Sequence, residues 1–160
     1  MSSKHDILKI YKKEFATTLK VLRAFPAGKL EFRPHERSST AKKLITTFIF
    51  EMYLVDGYIF GDKADSKKFK SYSPKNIAEL ISDFEKESLV MISKLEDAND
   101  SILNKSVEFA GKKFTGEDFM LMMIHDQIHH RGQLTVYIRM AGGKVPSVYG
   151  PSADDSTTNL

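Results

Sequence analysis

Hydrophobic residues recur at the i, i+3, i+4 spacing of an α-helix in four separate segments of this chain. Nowhere do several short alternating segments indicate a sheet. The helical segments begin near residues 6, 38, 74 and 115, and they end near residues 24, 61, 98 and 141. With 160 residues, 41% of them hydrophobic and 28% charged, the chain has the length and composition of one globular core. The sequence therefore predicts an all-α fold, an antiparallel four-helix bundle.

Helix-capping and helix-breaking residues set these boundaries. They are Phe25-Pro26 after the first helix, Ser38 or Ser39 before the second, Ser73 with Pro74 before the third, Thr115 with Asp118 as a capping box for the fourth, and Gly142-Gly143 at its end. The segment "EDANDSILNKSVEFAGKKF" is then a long irregular connection. Without an internal repeat or a linker, residues 1–150 are expected to form a single domain, followed by a flexible C-terminal tail at 151–160.

Charge and cysteine content limit the classes of partner and metal site that this chain can have. The net charge of +3 is spread over alternating lysines and acids, so a nucleic-acid partner is not expected. The chain has no cysteine, so any metal must be held by His, Asp or Glu. A polar N-terminus and short apolar runs predict neither a signal peptide nor a membrane span. We therefore expect a cytoplasmic protein without membrane contact.

The stretch "HDQIHHRGQ" contains three of the five histidines. His125 and His129 are four residues apart, so on a helix both imidazoles project from one face and can converge on a cation. His130 points about 100° away by the helical period. Alternatively, both are core histidines with hydrogen-bonded neighbours, or both lie on an amphipathic surface.

A heptad stripe along the fourth helix places His129 on the core side and His125 on its flank. The stripe consists of Phe119, Met122, Asp126, His129, Gln133, Val136 and Met140. Both histidines are therefore expected to point inward.

The segment "MIHDQIHHRGQLTVYIRMAGGKVPSVYGPS" resembles the C-terminal part of the DinB (damage-inducible) family, also called YfiT-like metalloenzymes. "LKVLRAFPAGKLEFRPHERSSTAKKL" is similar to the end of that family's first helix and the entry to its second. The resemblance implies an antiparallel bundle that pairs into a homodimer. It also implies one divalent metal, zinc or nickel, held by three histidines, one from the second helix and two from the last.

Under this resemblance, the two late ligands fall on His125 and His129, whereas the histidine of the second helix is replaced by Thr47. Glu51 lies one turn beyond Thr47 within "TTFIFEMYLV", and its carboxylate could complete a His, His, Glu set that suits zinc, nickel or iron. Alternatively, Glu51 pairs with an arginine or lysine from another helix, or accepts a hydrogen bond from a histidine without metal. A glutamate among these apolar residues needs some partner in either case.

Several neighbours have supporting roles. Asp126 is expected to accept a hydrogen bond near the site or between helices, or to form part of a dimer contact, since no third ligand supports an HExxH-type protease. Gln133 could donate to a bound water or substrate, or satisfy a backbone carbonyl. Arg131 could bind an anion, or it could equally lie at a solvated or intersubunit face. Gly132 is expected to allow close approach of another helix.

Two classes of function follow. In the first, the protein is a metal-dependent hydrolase or a transferase of a low-molecular-weight thiol such as bacillithiol or mycothiol, the latter implied by the resemblance. In the second, it is a non-catalytic stress-response, binding or dimerisation module with a degenerate metal site or no metal. Glu51 favours the first class and Thr47 the second. The fourth helix is apolar around much of its circumference, which also predicts a homodimer.

Overall fold

The structure, a computed structural model, describes residues 3–61 and 63–155. Within them, five α-helices and a short β-hairpin alternate with irregular connections. The helices are α1 (Lys4–Arg23), α2 (Ala41–Val55), α3 (Ser66–Ser71), α4 (Ile77–Asp97) and α5 (Gly116–Met140), and the strands are β1 (Ser106–Phe109) and β2 (Lys112–Thr115). A π-helical turn at Asp56–Phe60 continues α2, and a 3₁₀ turn at Asp100–Asn104 precedes the hairpin.

The four long helices bury their apolar faces against one another. Helix α2 packs against α4 and α5, and α1 packs against the same two helices. Phe84 of α4 lies at the centre, with its ring edge-on to Phe15 of α1 at 6.0 Å and to Phe48 of α2 at 6.3 Å between centroids. All three rings are buried. Because burying each such side chain contributes about 1.5–3 kcal/mol, this packing holds α1, α2 and α4 together around Phe84.

Two of the predicted boundary signals are confirmed at α5. The Thr115 hydroxyl caps its first turn by accepting from the Asp118 amide at 3.1 Å. At the other end, Gly142 takes the left-handed conformation with φ of 89°. The Gly143 amide then donates to the Ile138 carbonyl at 2.8 Å, which ends the helix in a Schellman motif.

Two other predicted caps are wrong by one to three residues. Thr40, rather than Ser38 or Ser39, caps α2 by accepting from the Lys43 amide. At α4 the cap is Asn76, whose side chain accepts from the Glu79 amide at 2.9 Å. An asparagine is at least as good an N-cap as a serine, so the helix starts three residues later than the proline suggests.

The all-α prediction is wrong in one segment, because the expected irregular connection contains a hairpin. Strands β1 and β2 pair antiparallel, with Ser106 opposite Thr115 and Phe109 opposite Lys112. Ala110 and Gly111 form the turn with φ of 51° and 74°. Both positive φ values match the two-residue turn that connects twisted strands. The hairpin leads directly into the cap of α5.

No helix in the described part of the chain is long and apolar enough to cross a membrane. The first five residues of the predicted tail are described, and there Asp154 accepts hydrogen bonds from Arg139 and from the Val145 amide. Residues 156–160 lie outside the described residues, and the flexibility of the tail stays a prediction.

Candidate metal centre

Glu51 lies in the middle of α2 and points into the protein. It is only 3% exposed. Both of its carboxylate oxygens are buried, and neither makes a hydrogen bond of normal distance and angle to a described residue. The side chain of Gln127 is near enough to lower the pKa of Glu51, but by less than burial raises it. A buried, unpaired carboxylate costs several kcal/mol, so this position is explained only by a partner that is a cation or by protonation.

The nearest polar groups come from α5. His130 places its Nε2 atom 4.0 Å from Glu51 Oε1 and 3.5 Å from Asp126 Oδ2. One donor atom from each of the three side chains lies within 4.8 Å of the other two. His130 is half-buried, and the Asp126 side chain is 47% exposed. The cluster therefore extends from the core at Glu51 to the solvent at Asp126.

Its surroundings favour the protonated form of Glu51. The pKa of its carboxyl group is raised from 4.5 to about 9, mainly by burial and also by the hydrogen bond and the charge of Asp126, while Gln127 lowers it slightly. A divalent cation beside the Glu51 carboxyl group would favour its ionised form and so lower this pKa.

The void on the inner side of Glu51 leaves little room for a larger partner. It has a volume of about 10 Å³, and apolar side chains of α1, α2 and α5 form most of its lining. One water needs roughly 10–15 Å³, so this void is at the lower limit for a single water. A divalent cation would have to lie on the side of Asp126 and His130, where two carboxylates and one imidazole are ligand types that fit it.

Gln133, one turn after His129, connects two histidines. Its Oε1 atom lies 3.2 Å from Nδ1 of His130, and its Nε2 atom lies 2.8 Å from Nε2 of His129. With this orientation of the Gln133 amide, the contact requires a proton on Nδ1 of His130, because an amide oxygen only accepts. The neutral imidazole then presents the lone pair of Nε2 to the carboxylates. This is the tautomer that a metal ligand requires, and Gln133 holds it in place.

The prediction that His125 and His129 point inward is wrong, since both are exposed. The groups of three potential ligands in the described residues include neither of them. The buried residues of α5 instead include Met120, Met123 and Gln127, which are offset by about one position from the predicted stripe. A shift of one residue rotates a helix face by about 100°, which turns His130 towards Glu51. Whether the two exposed histidines bind metal is untested.

Of the two alternatives for Arg131, the solvated or intersubunit face is wrong. Arg131 is 1% exposed and pairs with Glu14 of α1 at 2.7 Å. Its guanidinium also donates to the Thr18 hydroxyl and to Tyr149 of the C-terminal segment. Nothing in the described chain lies within 4 Å of a Cβ built on Gly132, so the expected close helix contact there is absent from this part of the structure.

Thr47, the position without the family's histidine, lies one turn before Glu51 and is half-buried. Its hydroxyl donates to the Lys43 carbonyl at 3.1 Å. Thr47 lines a cavity together with His130 and Gln133. It therefore borders the candidate centre without belonging to the group of potential ligands.

Sequence reasoning missed His130 as a candidate ligand. The signal was present, because Asp126 and His130 are also four residues apart and can face the same point. His125 and His129 have the same spacing, so the sequence alone does not show which of the two pairs faces the core. Glu51 was recognised because an acidic residue in an apolar helix stands out.

These elements and this cluster define a mostly helical protein with a candidate divalent-metal centre of two carboxylates and one histidine. The chain belongs to the DinB family, whose sequence profile matches residues 1–160. The family expected from the sequence is thereby confirmed.

Two proteins of Bacillus subtilis strain 168 are similar in sequence. YrdA is 38% identical over 56 residues, which are 35% of this chain and 34% of YrdA, so the match spans about a third of that relative. YjoA is 25% identical over 114 residues, 69% of this chain and 73% of YjoA. The activities of both are uncharacterised.

Two crystal structures of DinB-like proteins share the fold. YjoA from B. subtilis superposes with a TM-score of 0.72 at 19% identity, covering 91% of this chain and 98% of YjoA. A DinB-like protein from Bacillus cereus ATCC 10987 superposes with a TM-score of 0.78 at 22% identity, covering 89% of this chain and 95% of that one. At these identities the likeness establishes the fold alone.

Proposed function

We propose that this protein binds one divalent cation through Glu51, Asp126 and His130 and acts as a hydrolase or as a transferase of a low-molecular-weight thiol. The observation that carries the proposal is the buried Glu51 carboxylate, which makes no hydrogen bond of normal distance and angle to a described residue and faces the other two side chains. When bound, the cation would lower the pKa of a water or thiol at the same position towards neutrality.

The chain's own residues have distinct roles in this proposal. Glu51 fixes the cation at the core side, because its buried position leaves it little freedom. Asp126 closes the site at the solvent side, where a substrate enters. Gln133 keeps the lone pair of His130 directed at the site.

The chemical types of the three ligand groups limit which metals suit the site. An imidazole suits zinc, nickel and iron, whereas carboxylates also suit manganese and magnesium. We propose zinc or nickel, as expected from the sequence, with manganese as the competitor that a second carboxylate favours.

A non-catalytic binding module is the second candidate. It is supported by the pKa of Glu51, raised to about 9, because a proton competes with the cation for this carboxylate at neutral pH. A weak or empty site would leave the fold as a stress-response or dimerisation module.

Elemental analysis of protein purified without a polyhistidine tag separates the two candidates. We expect near-stoichiometric zinc or nickel in the wild type, and loss of it in Glu51→Gln and in His130→Ala. His125→Ala is the matched control, because that histidine is exposed on the same helix and should leave the metal content unchanged. A wild type that stays metal-free after zinc and nickel are offered would leave the binding module as the function.

We infer that the four long helices form an antiparallel bundle and that the protein is a homodimer. The dimer is supported by large apolar side chains exposed on α4 and α5, namely Leu89, Val90, Val136 and Met140. A monomer mass in sedimentation equilibrium would refute the dimer.

A further inference from the structure

A cavity of about 490 Å³ opens beside the candidate metal centre, between the start of α2 and the middle of α5. His130 and Gln133 form its wall on the side of the centre. Small-molecule pockets typically measure about 300–1,000 Å³, so this one has room for a ligand of modest size.

The middle of the cavity is apolar and well anchored. Leu44, Val136 and Tyr137 line it. The Tyr137 hydroxyl donates to the Ser39 carbonyl at 2.9 Å, which ties the loop before α2 to α5. The Tyr137 ring also packs edge-on against Phe32. The two walls are therefore held together by the chain itself and are ready to receive an apolar group.

The far end of the cavity carries a positive charge. Among the described residues that line the cavity, Lys43 is the one lysine or arginine, and none is acidic. No described residue pairs with the Lys43 ammonium group. The hydroxyls of Ser38 and Ser39, which line the same end, are not hydrogen-bonded to described residues either.

The backbone amides at the start of α2 already donate hydrogen bonds within the chain, so they cannot bind an anion in the cavity. The Ala41 amide donates to the Phe32 carbonyl at 2.8 Å, and the Lys42 amide donates to the Leu30 carbonyl at 2.7 Å. The Lys43 amide donates to the cap hydroxyl. An anion at this end would therefore be bound by the side chains.

We propose that this cavity is the substrate site and that it takes a small organic carboxylate with a short apolar body. The carboxylate binds Lys43 and the serine hydroxyls, the body lies against Leu44 and Tyr137, and the other end reaches His130. The position of the ligand's other end at His130 rests on the proposed function, whereas the binding of its carboxylate by Lys43 does not.

A titration of ¹⁵N-labelled protein with benzoate, followed by NMR, tests the proposal, with benzamide as the neutral probe of the same shape. In metal-free protein we expect benzoate to shift the amides of residues 38–47 and benzamide to bind more weakly. Lys43→Gln should weaken benzoate binding about fivefold, the effect of one partly exposed ion pair. Lys113→Gln, which changes an exposed lysine of β2, is the matched control and should bind benzoate like the wild type. Equal binding by Lys43→Gln, equal binding of benzamide, or shifts elsewhere would overturn the proposal.

The same titration after addition of zinc separates this proposal from the proposed function. We expect bound zinc to tighten benzoate binding in the wild type while Lys43→Gln stays weaker. If zinc does not bind at all, the proposed function fails, but the dependence of benzoate binding on Lys43 in metal-free protein still decides the nature of the cavity. Zinc that binds without any effect on benzoate would overturn the placing of the ligand's other end at His130.

Discussion

Replacing the Glu51 carboxyl by an amide should change stability in opposite directions with and without metal. In metal-free protein, the pKa of Glu51 is about 9 in the folded state and 4.5 ordinarily. Protonated Glu51 is the form that the fold favours, so its contribution to stability is fully present below about pH 4.5 and is lost as the pH rises to about 9. Glu51→Gln removes this dependence because an amide does not titrate.

The magnitude follows from linkage. Each pH unit between the two pKa values changes the free energy of unfolding by about 1.4 kcal/mol. The stability difference between Glu51→Gln and the wild type should therefore move by roughly 3 kcal/mol in favour of the variant from about pH 6 to about pH 8. Any unpaired amide proton in the variant adds a constant that cancels between the two pH values.

Urea unfolding in the presence of EDTA measures this difference at each pH. With saturating zinc the sign should reverse, because only the wild type gains the stability that a bound ligand supplies. A difference that does not change with pH in EDTA would refute the conclusion that Glu51 is buried without a partner. An unchanged order after zinc addition would refute its role as a ligand.

Four further substitutions test the candidate centre and the packing of α5. Gln133→Ala should lower zinc affinity about 10- to 100-fold, measured by competition with a chromogenic chelator, because the variant no longer fixes the tautomer of the ligand histidine; unchanged affinity would contradict this role. Glu14→Ala should lower the free energy of unfolding by about 3–5 kcal/mol, since it leaves the buried Arg131 guanidinium without its carboxylate, and a loss below 1 kcal/mol in urea unfolding would contradict that pairing. Gly116→Ala should destabilise the fold by more than about 1 kcal/mol, because its Cβ would lie 2.1 Å from a backbone oxygen, whereas Gly132→Ala on the same helix should stabilise it by about 0.5–1 kcal/mol. Equal thermal shifts for the two glycine variants would show that these contacts are misplaced.

The long helices were predictable because each carries an apolar face over many turns. Helix α1 is an example, since Ile7, Tyr11 and Phe15 fall on one face and all are buried. The hairpin could not be predicted in the same way. Its strands have four residues each, and only Val107 of them is buried, so no alternating pattern develops. Its turn also begins with Ala110, a residue that rarely takes positive φ.

The sequence predicted the wrong buried side for α5, and this misplaced the ligands of the candidate site. This helix carries apolar residues on several faces, so the hydrophobic pattern defines no unique buried side. Its buried side also includes Gln127 and Arg131, two polar residues that a hydrophobicity pattern predicts to be exposed. The partners of Arg131 come from residue 14 and from the C-terminal segment, far away in the sequence. Only a three-dimensional structure brings them together.

The buried guanidinium therefore determines where the neighbouring imidazole points. Arg131 follows His130 directly, and its hydrogen bonds to Glu14 and Thr18 hold α5 against α1 at that level. Any rotation of α5 that turned His130 away from Glu51 would also withdraw Arg131 from its carboxylate and leave two opposite charges unpaired inside the protein. The ion pair between Arg131 and Glu14 thus fixes the rotation of α5 about its axis, and with it the position of His130 in the candidate metal centre.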